Sequence, residues 1–260
     1  MNVIRIPIHG LGIRAPGISS TTDLMERGLS RILTDGVEPP KGQGLGLPPT
    51  ERRRATPVTR LALDVAMDAS EGVADRSTLT TLFATSGGEV TVIHQIFNML
   101  AEGDTALSPT AFHNSVHNAA AGYWSIASGS RYAADSICAF DDSAGAGLAD
   151  IALRYFGGER NLLLVGYDLP PPHPISAHRS LHHAIAGALL LGSEEVIAPL
   201  AHLNISFTSQ TSEMGGGRRS SFPHPDWPLL QIIHAIACKE TMNLQLSAGF
   251  GGSLSVGVEV

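Results

Sequence analysis

Cysteine is scarce in this chain: two residues in 260, Cys138 and Cys238, one hundred positions apart. So few, so far apart, they exclude a disulfide framework and a cysteine-based zinc site. Charge is also sparse, at 16% of residues, and it runs acidic: 17 Lys and Arg stand against 24 Asp and Glu, a formal net charge of −7. An acidic chain is a poor general binder of nucleic acid or of anionic membrane surfaces. No apolar run reaches the roughly 18 residues of a membrane span. The opening residues do not read as a basic-then-apolar leader, so a cytoplasmic protein is expected.

The hydrophobic content of 43% is ordinary for a globular protein, and 260 residues can bury a substantial core in one large domain. Low charge combined with a mean hydropathy of +0.11 fits either surface that is covered by another subunit or an ordinary soluble monomer, and composition alone does not separate the two. The densest basic run is Arg52-Arg53-Arg54, either a solvated face or a docking strip for an acidic partner. Arg218 and Arg219 fall in an expected loop.

Apolar periodicity alternates between strands and helices, which predicts an α/β domain with a parallel or mixed sheet. Residues 3–8 read as a buried strand ending in a turn at Gly10-Leu11-Gly12. Residues 21–33 read as a helix, and 38–49, rich in Pro and Gly, as a loop. Thr56-Pro57 and Ser108-Pro109 each combine an N-cap residue with proline in the first turn, so each opens a helix. Between them come a strand over 82–85, the turn Ser86-Gly87-Gly88, and a helix with Val92, Ile93, Ile96, Phe97 and Leu100 on its apolar face. Beyond them, 118–128 is an Ala-rich helix, 133–140 a buried strand, 143–156 a helix and 162–166 a core strand. Residues 169–174, with four prolines in six, cannot be regular structure. Strands are expected over 184–191 and 200–207, joined by a polar turn, then a Gly-rich linker at 208–221. A helix over 229–238 and closing strands over 243–247 and 254–259 complete the chain.

Three segments carry a resemblance. Asn118-Ala119-Ala120-Ala121-Gly122, followed by Ser125, Ile126 and Gly129, resembles the helix that precedes the nucleophile strand of β-ketoacyl synthases. Ile8-His9-Gly10-Leu11-Gly12 with Pro16 resembles that family's first strand, and Gly249-Phe250-Gly251-Gly252 resembles its glycine-rich closing turn. Taken in order they span nearly the whole chain. They are most similar to the short ketosynthase-like proteins of aryl polyene-type clusters, which resemble chain-length factors.

The resemblance implies a thiolase-like α/β fold, layered α-β-α-β-α, with a truncated second half. Residues 1–260 are expected to form one such domain: 1–207 as the ketosynthase N-terminal-like half, 208–221 as a linker and 222–260 as the remnant of the second half. Ketosynthases attack an acyl thioester with a cysteine at a strand-to-helix elbow, assisted by two histidines. Counting without gaps from Asn118, that cysteine's position falls on Asp141, and the histidine motifs are missing: downstream of the 208–221 linker only His224 and His234 remain. No catalytic residue, cofactor or metal is therefore expected. The implied function is that of a non-catalytic partner of an active ketosynthase, extending chains on an acyl carrier protein. Phe112, His113, Ser115, Val116, His117, Asn118 and Tyr123 are the candidate tunnel or interface residues; ordinary core packing is the alternative for Phe112, Ser115, Val116 and Tyr123.

Other patterns in the sequence point elsewhere. Cys138, among Ile137, Ala139 and Phe140, reads as a buried, inert thiol; a residual acyl-thioester enzyme, a decarboxylase or acyltransferase, is the runner-up function. Asp141-Asp142-Ser143-Ala144-Gly145 half matches a serine-hydrolase elbow, although a helix-capping Ser143 explains it equally. His178 and His182, four apart with His183 following, have zinc-ligand spacing but no Glu between them. Gly10-Leu11-Gly12 lacks the third glycine of a dinucleotide fingerprint.

Overall fold

The computed structural model describes residues 3–32, 41–179, 181–196, 198–208, 223–249 and 252–260. Its strands are β1 (Ile4–Arg14), β2 (Thr80–Ala84), β3 (Ala134–Ile137), β4 (Leu162–Asp168), β5 (Ile185–Leu191), β6 (Ala201–Thr208), β7 (Met242–Ser247) and β8 (Ser253–Glu259). Its α-helices are α1 (Thr21–Arg27), α2 (Pro49–Arg54), α3 (Pro57–Ala69), α4 (Val90–Ala101), α5 (Pro109–Asn114), α6 (Ala119–Ser128), α7 (Ser143–Phe156) and α8 (Trp227–Cys238).

All eight strands join in one mixed sheet of order β3-β2-β4-β5-β1-β6-β8-β7. The β2–β3 and β2–β4 pairs are parallel and the rest antiparallel. One face packs against α1, α7 and α8 through Leu24, Leu148, Ile151, Leu229 and Ile233. The other packs against α3 and α6 through Leu61, Val65, Tyr123 and Trp124. The strands expected over 184–191 and 200–207 are present as β5 and β6, but they do not pair with each other: β1 lies between them.

Two proline-capped helices form as expected. Thr56 Oγ1 accepts the Thr59 N–H at 3.1 Å, and Ser108 Oγ accepts that of Ala111 at 3.4 Å. The helix expected over 21–33 stops early, because Gly28, at φ +70°, ends α1. The turn expected at Gly10-Leu11-Gly12 is instead the middle of β1. A Cβ at Gly10 would collide with the Ala69 carbonyl and one at Gly12 with that of Val65. These glycines serve close approach of α3 to the sheet, which a sequence cannot distinguish from a turn. The buried strand expected over 133–140 is only Ala134–Ile137, an edge strand, and Cys138 beyond it is exposed. Residues 33–40, 209–222, Phe250 and Gly251 lie outside the described residues, and with them most of the expected linker, Arg218, Arg219 and half of the closing glycine turn.

Candidate functional site at the ends of the parallel strands

Strands β2, β3 and β4 run parallel, so their carboxyl ends open on one edge of the molecule, where an open α/β sheet leaves a crevice for a ligand. Each strand contributes a turn there. After β2 come Thr85-Ser86-Gly87-Gly88; after β3, Cys138-Ala139-Phe140-Asp141; after β4, a proline-rich loop that returns Arg179 to the same corner.

Phe140 is the strained element. Its φ of +54° at the strand-to-helix corner is a left-handed conformation that a bulky residue adopts only where its surroundings impose it. Three groups on Arg179 fix the corner. Its guanidinium carbon lies 3.7 Å from the Phe140 ring centroid, its Nη1 is 2.8 Å from Asp141 Oδ1, and its Nη2 donates to Ser86 Oγ at 2.8 Å. Despite this cover, Phe140 remains 58% exposed.

Beneath the corner lies a buried polar layer. The Asp168 carboxylate accepts from Thr85 Oγ1 at 2.9 Å, from the Ser86 N–H at 2.9 Å and from the Gly87 N–H at 3.0 Å, and so sets the turn that carries Ser86. Burial nevertheless raises its pKa to about 6. Asp226, fully buried, is pushed well above the ordinary carboxylate range by burial and then by Asp168. His224 has both ring nitrogens committed: Nδ1 accepts the Asp226 N–H at 3.0 Å and Nε2–H donates to the His183 carbonyl at 3.2 Å. Burial lowers its pKa to about 3, so this imidazole is neutral. A ring with both nitrogens so engaged has no free lone pair with which to take a proton.

Ser143 is equally occupied. It is fully buried, its hydroxyl donates to the Phe140 carbonyl at 2.6 Å, and it accepts the Ala139 N–H at 3.1 Å. That is a brace for the corner, and the hydrolase reading of Ser143 gains no base beside it. The closing strand braces the corner too. Ser247 Oγ donates to Asp142 Oδ2 at 2.7 Å, and Gly145 lies directly under the Ser247 carbonyl. Cys138 corrects the expectation of a buried thiol: it is exposed, with Sγ 3.5 Å from the Ser86 carbonyl.

The residues singled out around α5 fall on both sides of the surface. Phe112 is 63% exposed, Val116, His117 and Asn118 are exposed, and His113 meets the Tyr123 ring edge-on at 5.7 Å between centroids. Tyr123 itself is buried in the core, where its hydroxyl donates to Asn114 Oδ1 at 3.0 Å. Ser115 Oγ donates to the Phe112 carbonyl at 2.8 Å. His117 lies beside Gly88, which joins this surface to the corner. Helix α4 packs against α5 and leaves Phe97 and Leu100 exposed as well. Among the described residues no three metal-ligating side chains come together, so His178, His182 and His183 form no such group. No helix among them is long and apolar enough to cross a membrane.

Sequence reasoning missed four members of this site. Arg179 and Asp168 carry no local signal, because each acts on residues more than 35 positions away. Phe140 was visible only as an apolar strand residue. Asn114, whose amide donates to the Arg54 carbonyl at 2.7 Å, ties α2 to α5 and α6 from a buried position.

The profile described as β-ketoacyl synthase, N-terminal domain, matches residues 33–248, more than four-fifths of the chain. The chain belongs to that family. Among solved structures, a chain of the complex of the ketosynthase ApeO with its chain length factor ApeC from Xenorhabdus doucetiae matches at 23% identity. The match covers 98% of this chain and 99% of that one, with a TM-score of 0.74. A chain of the ishigamide ketosynthase/chain length factor matches at 13% identity, with 98% and 99% covered and a TM-score of 0.73. A bacillaene ketosynthase from Bacillus amyloliquefaciens matches at 14% identity and a TM-score of 0.58; there 82% of this chain covers only 46% of the other. The likeness bears out the thiolase-like α/β fold, with one correction: among the described residues a single sheet with helices on both faces makes three layers, α-β-α, where five were expected. The chain spans about half the length of the bacillaene ketosynthase it matches. No curated protein matches the chain.

Proposed function

We propose that this protein is a non-catalytic ketosynthase-like subunit, a chain-length factor, that pairs with an active ketosynthase to extend acyl chains on an acyl carrier protein. The observation that carries the reading is the corner itself. The left-handed residue between β3 and α7 is the place where a nucleophile elbow presents its side chain. Here that residue is Phe140, one position before the Asp141 reached by ungapped counting, and it offers no nucleophile. Ser143 and His224 beside it are committed to structural hydrogen bonds. The exposed apolar residues Phe97, Leu100, Phe112 and Val116 supply a face for the partner, and the solved complexes that share this fold contain ketosynthases with chain length factors. In this reading the protein is cytoplasmic. Residues 1–260 form one unit, 1–207 keep the N-terminal half of a ketosynthase, and 222–260 supply the closing elements.

Two measurements test it. Co-expressed with an active ketosynthase, the chain is expected to co-purify as a heterodimer, and expressed alone it is expected to self-associate or be poorly soluble. A well-behaved monomer by light scattering that binds no ketosynthase overturns the proposal. The second measurement addresses the runner-up reading, a residual acyl-thioester enzyme, which the exposure of Cys138 favours. Incubated with acyl- or malonyl-loaded carrier protein, the chain is expected to stay at its unmodified mass. A stoichiometric acyl adduct on Cys138 establishes the runner-up instead.

A further inference from the structure

At this corner an aromatic ring is held in a costly backbone conformation and left more than half exposed. A strained residue persists only when the surrounding structure over-determines it, and such residues gather where ligands are clamped. Everything around Phe140 fits that description. Arg179 covers one side of the ring, Asp141 and Ser86 hold Arg179, and Asp168 holds the turn that carries Ser86. A cation stacked on one side and an ion pair behind it leave the ring no freedom to swing aside. The ring lies at the carboxyl ends of the parallel strands, and the turn that Arg179 contacts at Ser86 runs on to Gly88, beside His117 in the exposed segment that follows α5. Glycine or asparagine fills a positive φ at far less cost than a phenylalanine does.

We propose that the Phe140 ring is a fixed end-stop for the acyl chain bound between this protein and its partner, and that Arg179 is the positioning residue that holds it. This rests on the pairing proposed above. Phe140 is thus a determinant of product length in its own right, separate from Phe112. Arg179 touches no acyl chain; it acts through the ring.

The test uses the co-purified heterodimer with malonyl-loaded carrier protein, reading carrier-bound products by intact mass. Phe140→Gly removes the ring and suits the left-handed backbone, so its melting temperature should match or exceed that of the unmodified pair. Its products should be longer by one or more extension units. Phe140→Trp, a larger ring in the same place, should shorten them. Arg179→Ala should broaden the product distribution while leaving pairing intact. In the Phe140→Gly background the same Arg179→Ala change should add nothing further to product length, because the ring through which it acts on the chain is gone. Unchanged product length in Phe140→Gly and Phe140→Trp, from a pair that still assembles and turns over, overturns the end-stop and leaves the pairing standing. An Arg179→Ala effect that persists in full without the ring overturns the positioning role. Failure of the unmodified chains to pair overturns both proposals together.

Discussion

Helices α3 and α4 are 13 and 12 residues long, both apolar along one side, and joined at their N-termini, where buried Glu89 accepts from Thr56 and Thr59 at 2.6 and 2.7 Å. Yet α3 buries nine residues and α4 buries only Ile96. Helix α3 lies across β1, β4 and β5, on glycines that let it approach, whereas α4 projects past the ends of the strands with α5 as its neighbour. An apolar helix that the described residues of its own chain leave uncovered is one whose cover comes from elsewhere. The sequence pattern is the same in both; what differs is whether the protein's own sheet lies beneath. Substitutions on the covered side should therefore register in stability, and those on the uncovered side in pairing.

The largest effect expected on the covered side is pH-dependent. His224, with its pKa lowered to about 3, refuses in the folded state a proton that the unfolded chain takes near pH 6.5. The stability it gives is whole above that pH and is lost as the pH falls towards about 3, at most about 5 kcal/mol at roughly 1.4 kcal/mol per unit. Asp168 works the other way. Its folded pKa of about 6 lies above the ordinary 3.8, so its contribution is whole below about 3.8 and is lost as the pH rises through about 6. His224→Gln should leave the carboxyl contribution alone, and its melting temperature should rise between pH 7 and pH 5. Asp168→Asn should lose melting temperature over the same interval more steeply than the unmodified chain. Thermal melts of the three proteins at three pH values check both signs.

Next in size is the core beneath α3. Leu63, fully buried, cut to Ala should cost about 2–5 kcal/mol in stability, read from denaturant unfolding, without altering the exposed face. Phe97→Ala on α4 should do the reverse. With 63% of the residue exposed, the isolated chain should change by no more than about 0.5 kcal/mol, while affinity for the ketosynthase falls by about 2 kcal/mol, as at a hot-spot aromatic. If Phe97→Ala destabilises the isolated chain as much as Leu63→Ala, the contrast between the helices fails.

The order of elements was legible from periodicity and caps, because Thr56-Pro57 and Ser108-Pro109 act within one turn of chain. What stayed hidden depends on long-range approach. Gly10 and Gly12 read as a turn because nothing near them announces a helix arriving from fifty residues away. Cys138 and Phe140 read as core because an apolar stretch at a sheet edge looks like one at its centre. The apolar face of α4 was visible as a pattern, and only the fold shows that it faces outward. The site at α5 was half visible: the segment was located by its likeness to a family, but which of its side chains point outward is set by how α5 and α6 pack, and that places Tyr123 of α6 inside and Phe112 of α5 outside.

Phe112 gives the smallest stability effect and the sharpest division of roles. The alternatives for it were tunnel wall and core packing, and they differ in what removing the ring costs. A buried Phe cut to Ala leaves a cavity worth about 3–5 kcal/mol. Phe112 is 63% exposed, so little cavity can form in the isolated chain, and Phe112→Ala should shift its stability by no more than about 0.5 kcal/mol. In the heterodimer the same change separates two uses of the exposed ring. If Phe112 lines the acyl channel, the pair should assemble with unchanged affinity and release longer products. If it is an interface contact alone, affinity should drop and product length should hold. Melting curves on the free chain, affinity for the ketosynthase and the mass of carrier-bound products read the three quantities separately. A loss of several kcal/mol in the free chain would place Phe112 on the covered side with Leu63 and remove it from the face shared with Phe97.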